Sequence, residues 1–174
     1  MMIDSTFFSY CIAKIKYKIT HNREVVSNFY RKEGIKVGKN CVICSFLKIA
    51  EPFLVEIGDD CVVSSDVLFI THDHSINKVT DRSNLFGRII IGNNCFIGQG
   101  SILLYGVELS SNIIVASGSV VTKSFNEGNI IIGGNPAKKI GTWDNFKRKH
   151  ADKAVNRDEL EGIVNGSIDK LVHR

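Results

Sequence analysis

The sequence of 174 residues lacks any apolar run that approaches the ~18 residues a membrane-spanning helix needs. It also lacks a signal-peptide pattern, because an acid precedes the apolar residues around Tyr10 and lysines follow them. Five cysteines are an odd number for a chain without an export signal. We therefore expect reduced thiols in a cytoplasmic protein with no membrane span.

Composition argues against two further classes of protein. A hydrophobic share of 44% with 23% charged residues is typical of a folded domain and excludes a disordered chain. The net charge of +4 is divided between basic ends and an acidic middle, so the sequence has no basic stripe suited to nucleic acid. The length predicts one domain with small appendages and no nucleic-acid partner.

A period of six residues runs through the middle of the chain. Every sixth residue from Ile91 to Val121 is aliphatic, and an earlier register slips by two residues before Ile57, where we predict a distorted turn. This period fits neither a helix nor an alternating strand, and it is typical of a β-helix in which three hexapeptides form one triangular coil. The inward-facing anchors are predicted to be Val37, Ile43, Ile49, Val55, Ile57, Val63, Phe69, Ile91, Ile97, Leu103, Leu109, Val115 and Val121.

The repeat explains most of the cysteines. Cys41, Cys61 and Cys95 each follow an anchor by four residues, at positions that favour small buried side chains. Cys41 and Cys44 form a lone CxxC pair. Without a second pair this spacing indicates packing rather than a metal or redox site.

Both ends of the chain have helical spacing. The N-terminal apolar residues are Phe8, Cys11, Ile12, Ile15 and Ile19, with Asp4 as the N-cap. A basic amphipathic helix of this kind lies on a membrane or covers the open end of a solenoid, and we favour the cover. The C-terminal apolar residues are Leu160, Ile163, Val164, Ile168, Leu171 and Val172, and two glycines weaken that helix.

These patterns divide the chain into three segments. We predict an N-terminal helical cap over residues 1–34, a β-helix over residues 35–141 and a C-terminal helical extension over residues 142–174. The repeat is interrupted by an inserted loop at residues 71–88, which holds His72 and His74. Loops of this length are usually functional or disordered. A histidine at the base of the loop is either a surface residue or a general base, since imidazole titrates near neutrality.

Three stretches together resemble the hexapeptide-repeat acyltransferases. They are the repeats, the loop that begins with Thr71, His72 and Asp73, and the closing run at residues 132–140 (IGGNPAKKI). The run at residues 51–59 (EPFLVEIGD) is similar to the branch that acetylates surface polysaccharides. The resemblance covers residues 35–141 and extends to galactoside, maltose and xenobiotic acetyltransferases. It implies an all-β fold, namely a left-handed parallel β-helix with short terminal helices, and a homotrimer with active sites between subunits.

The resemblance also implies an activity and a set of site residues. It implies transfer of an acetyl group from acetyl-CoA to a hydroxyl of a sugar or a surface-polysaccharide precursor, with His72 as general base. His74 is the local competitor for that role. Asp73 is a candidate to orient the imidazole, although adjacent residues in an extended chain point in opposite directions. The acceptor-binding candidates are Glu51, His74, Asn84 and Arg88. The residues expected to bind acetyl-CoA, through turns and phosphate contacts, are Gly98, Gln99, Ala116, Ser117, Thr122, Lys123, Lys138 and Lys139.

Three alternatives stay open at this stage. N-acetylation of an amino-sugar nucleotide would use the same base. A zinc enzyme similar to the β-helix carbonic anhydrases would use His72 and His74, but residues 22–149 contain no third histidine, so we predict no metal. A non-catalytic scaffold would need neither the histidine-bearing loop nor the lysines beside the last coils.

Overall fold

The computed structural model describes residues 5–164, 166–168, 170 and 172. Asp4 and Leu171, to which the sequence assigned helical roles, lie outside the described residues. The chain forms two compact units, one ending at Ile140 and one beginning at Gly141. Within the described residues, no helix has both the length and the apolar character to cross a membrane.

The regular elements are short strands between terminal helices. The α-helices are α1 (Ser5–Thr20), α2 (Glu24–Lys32), α3 (Trp143–His150) and α4 (Leu160–Val164). The strands are β1 (Lys36–Val37), β2 (Val42–Ile43), β3 (Val55–Ile57), β4 (Val62–Val63), β5 (Leu68–Ile70), β6 (His72–Asp73), β7 (Leu85–Phe86), β8 (Ile89–Ile91), β9 (Phe96–Ile97), β10 (Ile102–Leu104), β11 (Glu108–Leu109), β12 (Ile113–Val115), β13 (Val120–Val121), β14 (Ile130–Gly133) and β15 (Lys138–Thr142).

Three sheets form the walls of the predicted coil. Their strand orders are β1-β3-β8-β11, β2-β4-β9-β12-β14-β15 and β5-β10-β13, and strands from successive coils pair in parallel. Val37 lies beside Ile57, so equivalent residues of the first two coils are 20 positions apart. The hexapeptide-repeat β-helix is therefore confirmed as the architecture that these three sheets form.

The predicted anchors form one continuous core. All of them are buried except Ile49, which is partly buried against the same cluster. Cys41, Cys61 and Cys95 are buried as free thiols, whereas Cys44 is exposed. The slip in the repeat coincides with a 3-10 turn at Pro52–Leu54, as the distorted turn predicted.

One corner of the coil has a left-handed residue in successive coils. Asn40, Asp60, Asn94 and Asn112 all have positive φ values between 53° and 62°. Short Asn and Asp side chains tolerate this conformation better than other non-glycine residues. The Asn94 amide donates to the Asn112 side chain (2.8 Å), so the corner residues also bond to one another.

The N-terminal helices pack on the first coil by a different face from the one predicted. Tyr10 is buried on α1, with its ring 5.7 Å from that of Phe29 and 5.1 Å from that of Phe46. Of the predicted contact residues, Cys11 is partly buried against the core, whereas Phe8, Ile12, Ile15 and Ile19 are exposed on the other side of α1. The predicted terminal helices are present, but α1 and α2 span 16 and 9 residues, so the chain is more helical than the expected all-β class.

The C-terminal unit contains shorter helices than its apolar spacing predicts. Helix α4 ends at Val164, and Gly166 adopts a φ of 78° just beyond it. A left-handed glycine at this position ends a helix, and the Ile168 amide turns back to the Gly162 carbonyl (2.9 Å). The expected continuous helix through Val172 was therefore wrong.

Candidate active site

The inserted segment is an ordered hairpin, which we call the arm (residues 71–88). Strand β6 pairs antiparallel with β7, so that His72 lies opposite Phe86. The Gly87 amide donates to the Thr71 carbonyl (3.1 Å) and closes the base of the arm. Ile70 pairs with Leu104 just before the arm, so His72 emerges at a corner fixed by the coil.

Glu51 holds the imidazole of His72. Its Oε2 lies 2.9 Å from Nδ1 of His72, and the same oxygen accepts a short hydrogen bond from the buried Thr71 hydroxyl. The Thr71 hydroxyl, and after it the His72 ring, holds the pKa of the Glu51 carboxyl below its usual value. A carboxylate at Nδ1 favours the tautomer whose Nε2 carries the free lone pair. Within the described residues, no protein group bonds Nε2.

Asp73, the sequence-based candidate for orienting the imidazole, faces other partners. It accepts a hydrogen bond from the Ser75 amide (2.7 Å) and another from the Tyr105 hydroxyl (3.2 Å). The Ser75 hydrogen bonds are the main cause of the lowered pKa of Asp73. Asp73 thus ties the arm to the next coil, and Glu51 takes the orienting position.

The sequence analysis missed the contact of Glu51 with the arm and that of Tyr105 with the arm, although the repeat signals both. Equivalent residues of the first two coils are 20 positions apart, so Glu51 is equivalent to Thr71 and lies next to the base of the arm. Tyr105 follows its anchor Leu103 by two residues, as Thr71 follows Phe69, so both occupy the same corner. The coil register, applied to polar residues, predicts both neighbours.

Of the remaining acceptor candidates, His74 is the one whose contact with the His72 imidazole is seen among the described residues. The His74 ring packs edge-on at 5.5 Å from that of His72, and the Phe86 ring lies 5.8 Å away. The Oδ1 of Asn84 is buried and has no hydrogen-bond partner among the described residues. Arg88 is exposed at the foot of the arm. The His72 side chain is 31% exposed, which leaves it accessible to a substrate.

The residues expected to bind acetyl-CoA lie at different corners of the triangular β-helix within one chain. Gly98 and Ala116 follow strands β9 and β12 of one sheet, where a Cβ on Gly98 would lie 2.5 Å from the Ser117 nitrogen. Glycine is therefore required at this close approach. Thr122 and Lys123 instead follow β13, on the sheet that leads to His72. The single chain brings only the latter pair to the corner of the arm.

Several of the other predicted contacts already have partners. The Gln99 amide lies 3.4 Å from an Asp66 oxygen. Lys139 forms an ion pair with Glu127 at 2.5 Å, whereas Lys138 is exposed. Lys123 lies with its ammonium 5.6 Å from the centre of the Phe125 ring.

The arm does not assemble a metal-ligand cluster. Across residues 5–164 and the few described beyond them, no three His, Cys, Asp or Glu side chains are grouped closely enough to hold an ion. His72 and His74 are neighbours, and the Glu51 carboxylate lies at Nδ1 of His72.

Known proteins share both the repeat and the fold. A profile described as the hexapeptide repeat of succinyl-transferase matches residues 88–123. Protein CapG of Staphylococcus aureus is 41% identical over 138 residues, covering 76% of this chain and 80% of CapG. Galactoside O-acetyltransferase of Escherichia coli (strain K12) is 28% identical over 109 residues, covering 62% of this chain and 53% of that enzyme.

A solved structure matches the coil as a whole. It is a hexapeptide-repeat-containing acetyltransferase of Vibrio cholerae O1 biovar eltor in complex with acetyl coenzyme A. The TM-score is 0.52 at 17% identity, covering 79% of this chain and 87% of that chain. At this identity the match shows the shared β-helix.

Proposed function

Because this chain belongs to the hexapeptide-repeat acetyltransferase family, we propose that it transfers an acetyl group from acetyl-CoA to a hydroxyl of a sugar or a surface-polysaccharide precursor. The single observation that carries the proposal is the His72–Glu51 pair at the base of the arm. A partly exposed imidazole held at Nδ1 by a carboxylate is suited to remove a proton from a hydroxyl. The free thiols agree with a cytoplasmic location.

His72 acts as the general base in the proposed reaction. Its Nε2 takes the proton of the acceptor hydroxyl as that oxygen forms a bond to the thioester carbonyl carbon. Glu51 stabilises the imidazolium that results. Collapse of the tetrahedral intermediate breaks the carbon–sulfur bond, and the proton passes from Nε2 to the departing thiolate. No covalent intermediate on the protein is needed, which agrees with the burial of Cys61 and Cys95 inside the coil.

We further propose that the active unit is a homotrimer of left-handed coils, with each site between two subunits. The support is the separation of the two predicted groups in one chain, since Gly98 and Ser117 lie at a different corner from His72. Rotational assembly brings one corner of a subunit against another corner of its neighbour. The backbone at Gly98 would then approach the acyl donor, and exposed Lys123 and Lys138 would meet its phosphates.

The acceptor side of the proposal rests on the arm. The His74 ring lies 5.5 Å from that of His72, and Asn84 and Arg88 are further polar residues of the same arm. A site that hydrogen-bonds its substrate discriminates strongly between hydroxyl patterns. The similarity to a galactoside O-acetyltransferase supports a sugar as acceptor.

Release of free CoA tests the activity. The purified chain is incubated with acetyl-CoA and a panel of galactosides, maltose and amino-sugar nucleotides. The free thiol of the released CoA is quantified with a colorimetric thiol reagent. We expect turnover with a sugar hydroxyl, and a fall in kcat of ~10²–10⁴-fold in His72→Gln. His150→Gln, at the end of α3 and outside the proposed machinery, serves as the matched control. Near wild-type turnover in a folded His72→Gln protein would falsify the assignment.

Two further measurements separate binding from chemistry. Acetyl-CoA at ~100 times its Kd adds about 2.7 kcal/mol, which raises the melting temperature by roughly 5–10 °C. In Glu51→Gln we expect that shift and the KM for acetyl-CoA to persist while kcat falls by roughly 10²-fold, because an amide can donate to Nδ1 and select the wrong tautomer. An unchanged kcat would remove Glu51 from the mechanism.

A further inference from the structure

Helix α1 has two apolar faces, and only one packs against the protein. Tyr10 and Ala13 are buried on the inner face. The outer face has four large apolar side chains at spacings of four, three and four residues, which aligns them along one side of a helix. We call them the outer stripe, and Phe8, Ile12, Ile15 and Ile19 have exposed fractions of 58%, 52%, 59% and 75%.

Lysines provide all the charge of α1 between Ser5 and Thr20. Lys14 turns inward, where its ammonium donates to the Cys44 carbonyl (3.1 Å). Lys16 and Lys18 lie on opposite sides of the outer stripe, each roughly 70–90° from its centre at ~100° per residue. Neither forms an ion pair with the described residues. Positive charge therefore borders the stripe on both sides.

A groove of about 680 Å³ opens beside the outer stripe, between α1 and α2. Its walls include Ile12 and Lys16 of the first helix and Val25 and Lys32 of the second, with Glu33 as an acid among them. Two ammonium groups next to apolar walls match a lipid phosphate with an acyl chain beside it.

The charge pattern decides between two occupants of this surface. If two copies met through the same patch, the lysines of one α1 would face those of the other. An anionic lipid surface instead places phosphates against Lys16, Lys18 and Lys32, and each lysine near such a surface adds about fivefold to affinity. A helix of 16 residues is too short to cross a bilayer but long enough to lie in its interface.

We propose that α1 lies in the plane of a bilayer containing anionic phospholipids. The outer stripe enters the boundary between headgroups and acyl chains, and Lys16, Lys18 and Lys32 contact lipid phosphates. Tyr10 and Ala13 keep the helix attached to the first coil in the bound state. This interaction is separate from acetyl transfer and needs no residue of the arm.

Vesicle sedimentation of the whole chain tests the proposal. We compare vesicles of phosphatidylcholine alone with vesicles containing roughly a third phosphatidylglycerol. We expect at least ~10-fold stronger partitioning to the anionic vesicles, weakened by salt. Lys16→Gln with Lys18→Gln should lower the partition coefficient about 30-fold. Ile12→Gln with Ile15→Gln should abolish sedimentation, and the control Lys147→Gln with Lys149→Gln on α3 should not change it.

Three results would overturn the proposal. They are equal partitioning to both vesicles, no partitioning at all, and unchanged partitioning after loss of Ile12 and Ile15. A fall in molecular mass by light scattering in the Ile12 and Ile15 variant would instead identify the outer stripe as an interface between copies. Acetyl transfer to a water-soluble acceptor should stay at the wild-type rate in every variant, so failure of lipid binding leaves the proposed activity standing.

Discussion

The coil and the arm depend on opposite kinds of residue. Each anchor of the coil is one of several interchangeable aliphatics, and its partners are the equivalent anchors of the coils above and below. In the arm, each polar group has a particular partner, as His72 has Glu51 and Asp73 has Tyr105. The difference teaches that repetition supplies the buried core of this protein, whereas the proposed chemistry depends on a few unrepeated contacts. Substitutions in the two regions should therefore separate stability from turnover.

The largest expected effect on stability is in the coil. Leu103 is fully buried between the anchors Phe69 and Val121. Leu103→Ala should cost about 2–5 kcal/mol through lost burial and the cavity left behind. Thermal melts should fall by roughly 5–15 °C. The kcat per folded molecule should stay near wild type.

Leu85→Ala in the arm is the matched control for this change. The Leu85 side chain is 40% exposed and supports no coil above it, so its loss should leave the melt within a few degrees of wild type. An equal drop in both variants would show that arm and coil unfold as one unit and would end the proposed separation.

A smaller effect is expected on the pH dependence of stability when Glu51, which connects the coil to the arm, is replaced. The lowered pKa of this carboxyl comes first from the Thr71 hydroxyl and then from the His72 ring. A lowered folded-state pKa contributes stability that is fully present above the unfolded value of about 4.3 and is lost as pH falls through the folded value. Melts of wild type and Glu51→Gln should therefore differ at neutral pH and converge in acid.

Glu108→Gln is the control for that series, since the Glu108 carboxylate is exposed and unbonded among the described side chains. Its melts should follow wild type at every pH. A Glu51→Gln difference that stays constant from neutral to acid pH would show that the carboxylate does not stabilise the base of the arm.

The smallest expected effect concerns the tie between Asp73 and the next coil. Tyr105→Phe removes one hydrogen bond to a carboxylate, while the Ser75 amide still holds Asp73. We expect stability to fall by about 1 kcal/mol or less and kcat/KM by only a few-fold. Tyr17→Phe, whose hydroxyl has no described partner, should change neither quantity, and a similar loss in both would remove the proposed tie.

The repeat made the coil predictable because its anchors depend only on spacing. Ile91, Ile97 and Leu103 are buried as their period required, and no distant contact was needed to find them. The site was less accessible, since His72 and Glu51 are 21 residues apart and meet only through the register of the coil. The family resemblance made Glu51 an acceptor-binding candidate, and its hydrogen bond to His72 became visible only in three dimensions.

The helices show where apolar spacing alone misleads. Both faces of α1 carry large apolar residues, and the face that packs is the one whose Tyr10 ring fits against Phe29 and Phe46. In the C-terminal unit, the apolar spacing continues past Gly166, but the backbone of that residue is left-handed and the helix ends before it. The fit of the Tyr10 ring determines which face of α1 packs, and the backbone conformation of Gly166 determines where α4 ends. The spacing of apolar residues predicts neither.

The closed base of the arm has a consequence for how enzymes of this shape diversify. Ile70 before the arm and Ile89 after it are each fixed by a strand of the neighbouring coil, and one hydrogen bond between Thr71 and Gly87 joins the two sides. Residues beyond that bond can be lengthened, shortened or exchanged without shifting the register of the coil. If the arm binds the acceptor as proposed, related enzymes can keep the base of the arm and the coil while the tip of the hairpin changes to suit other acceptors.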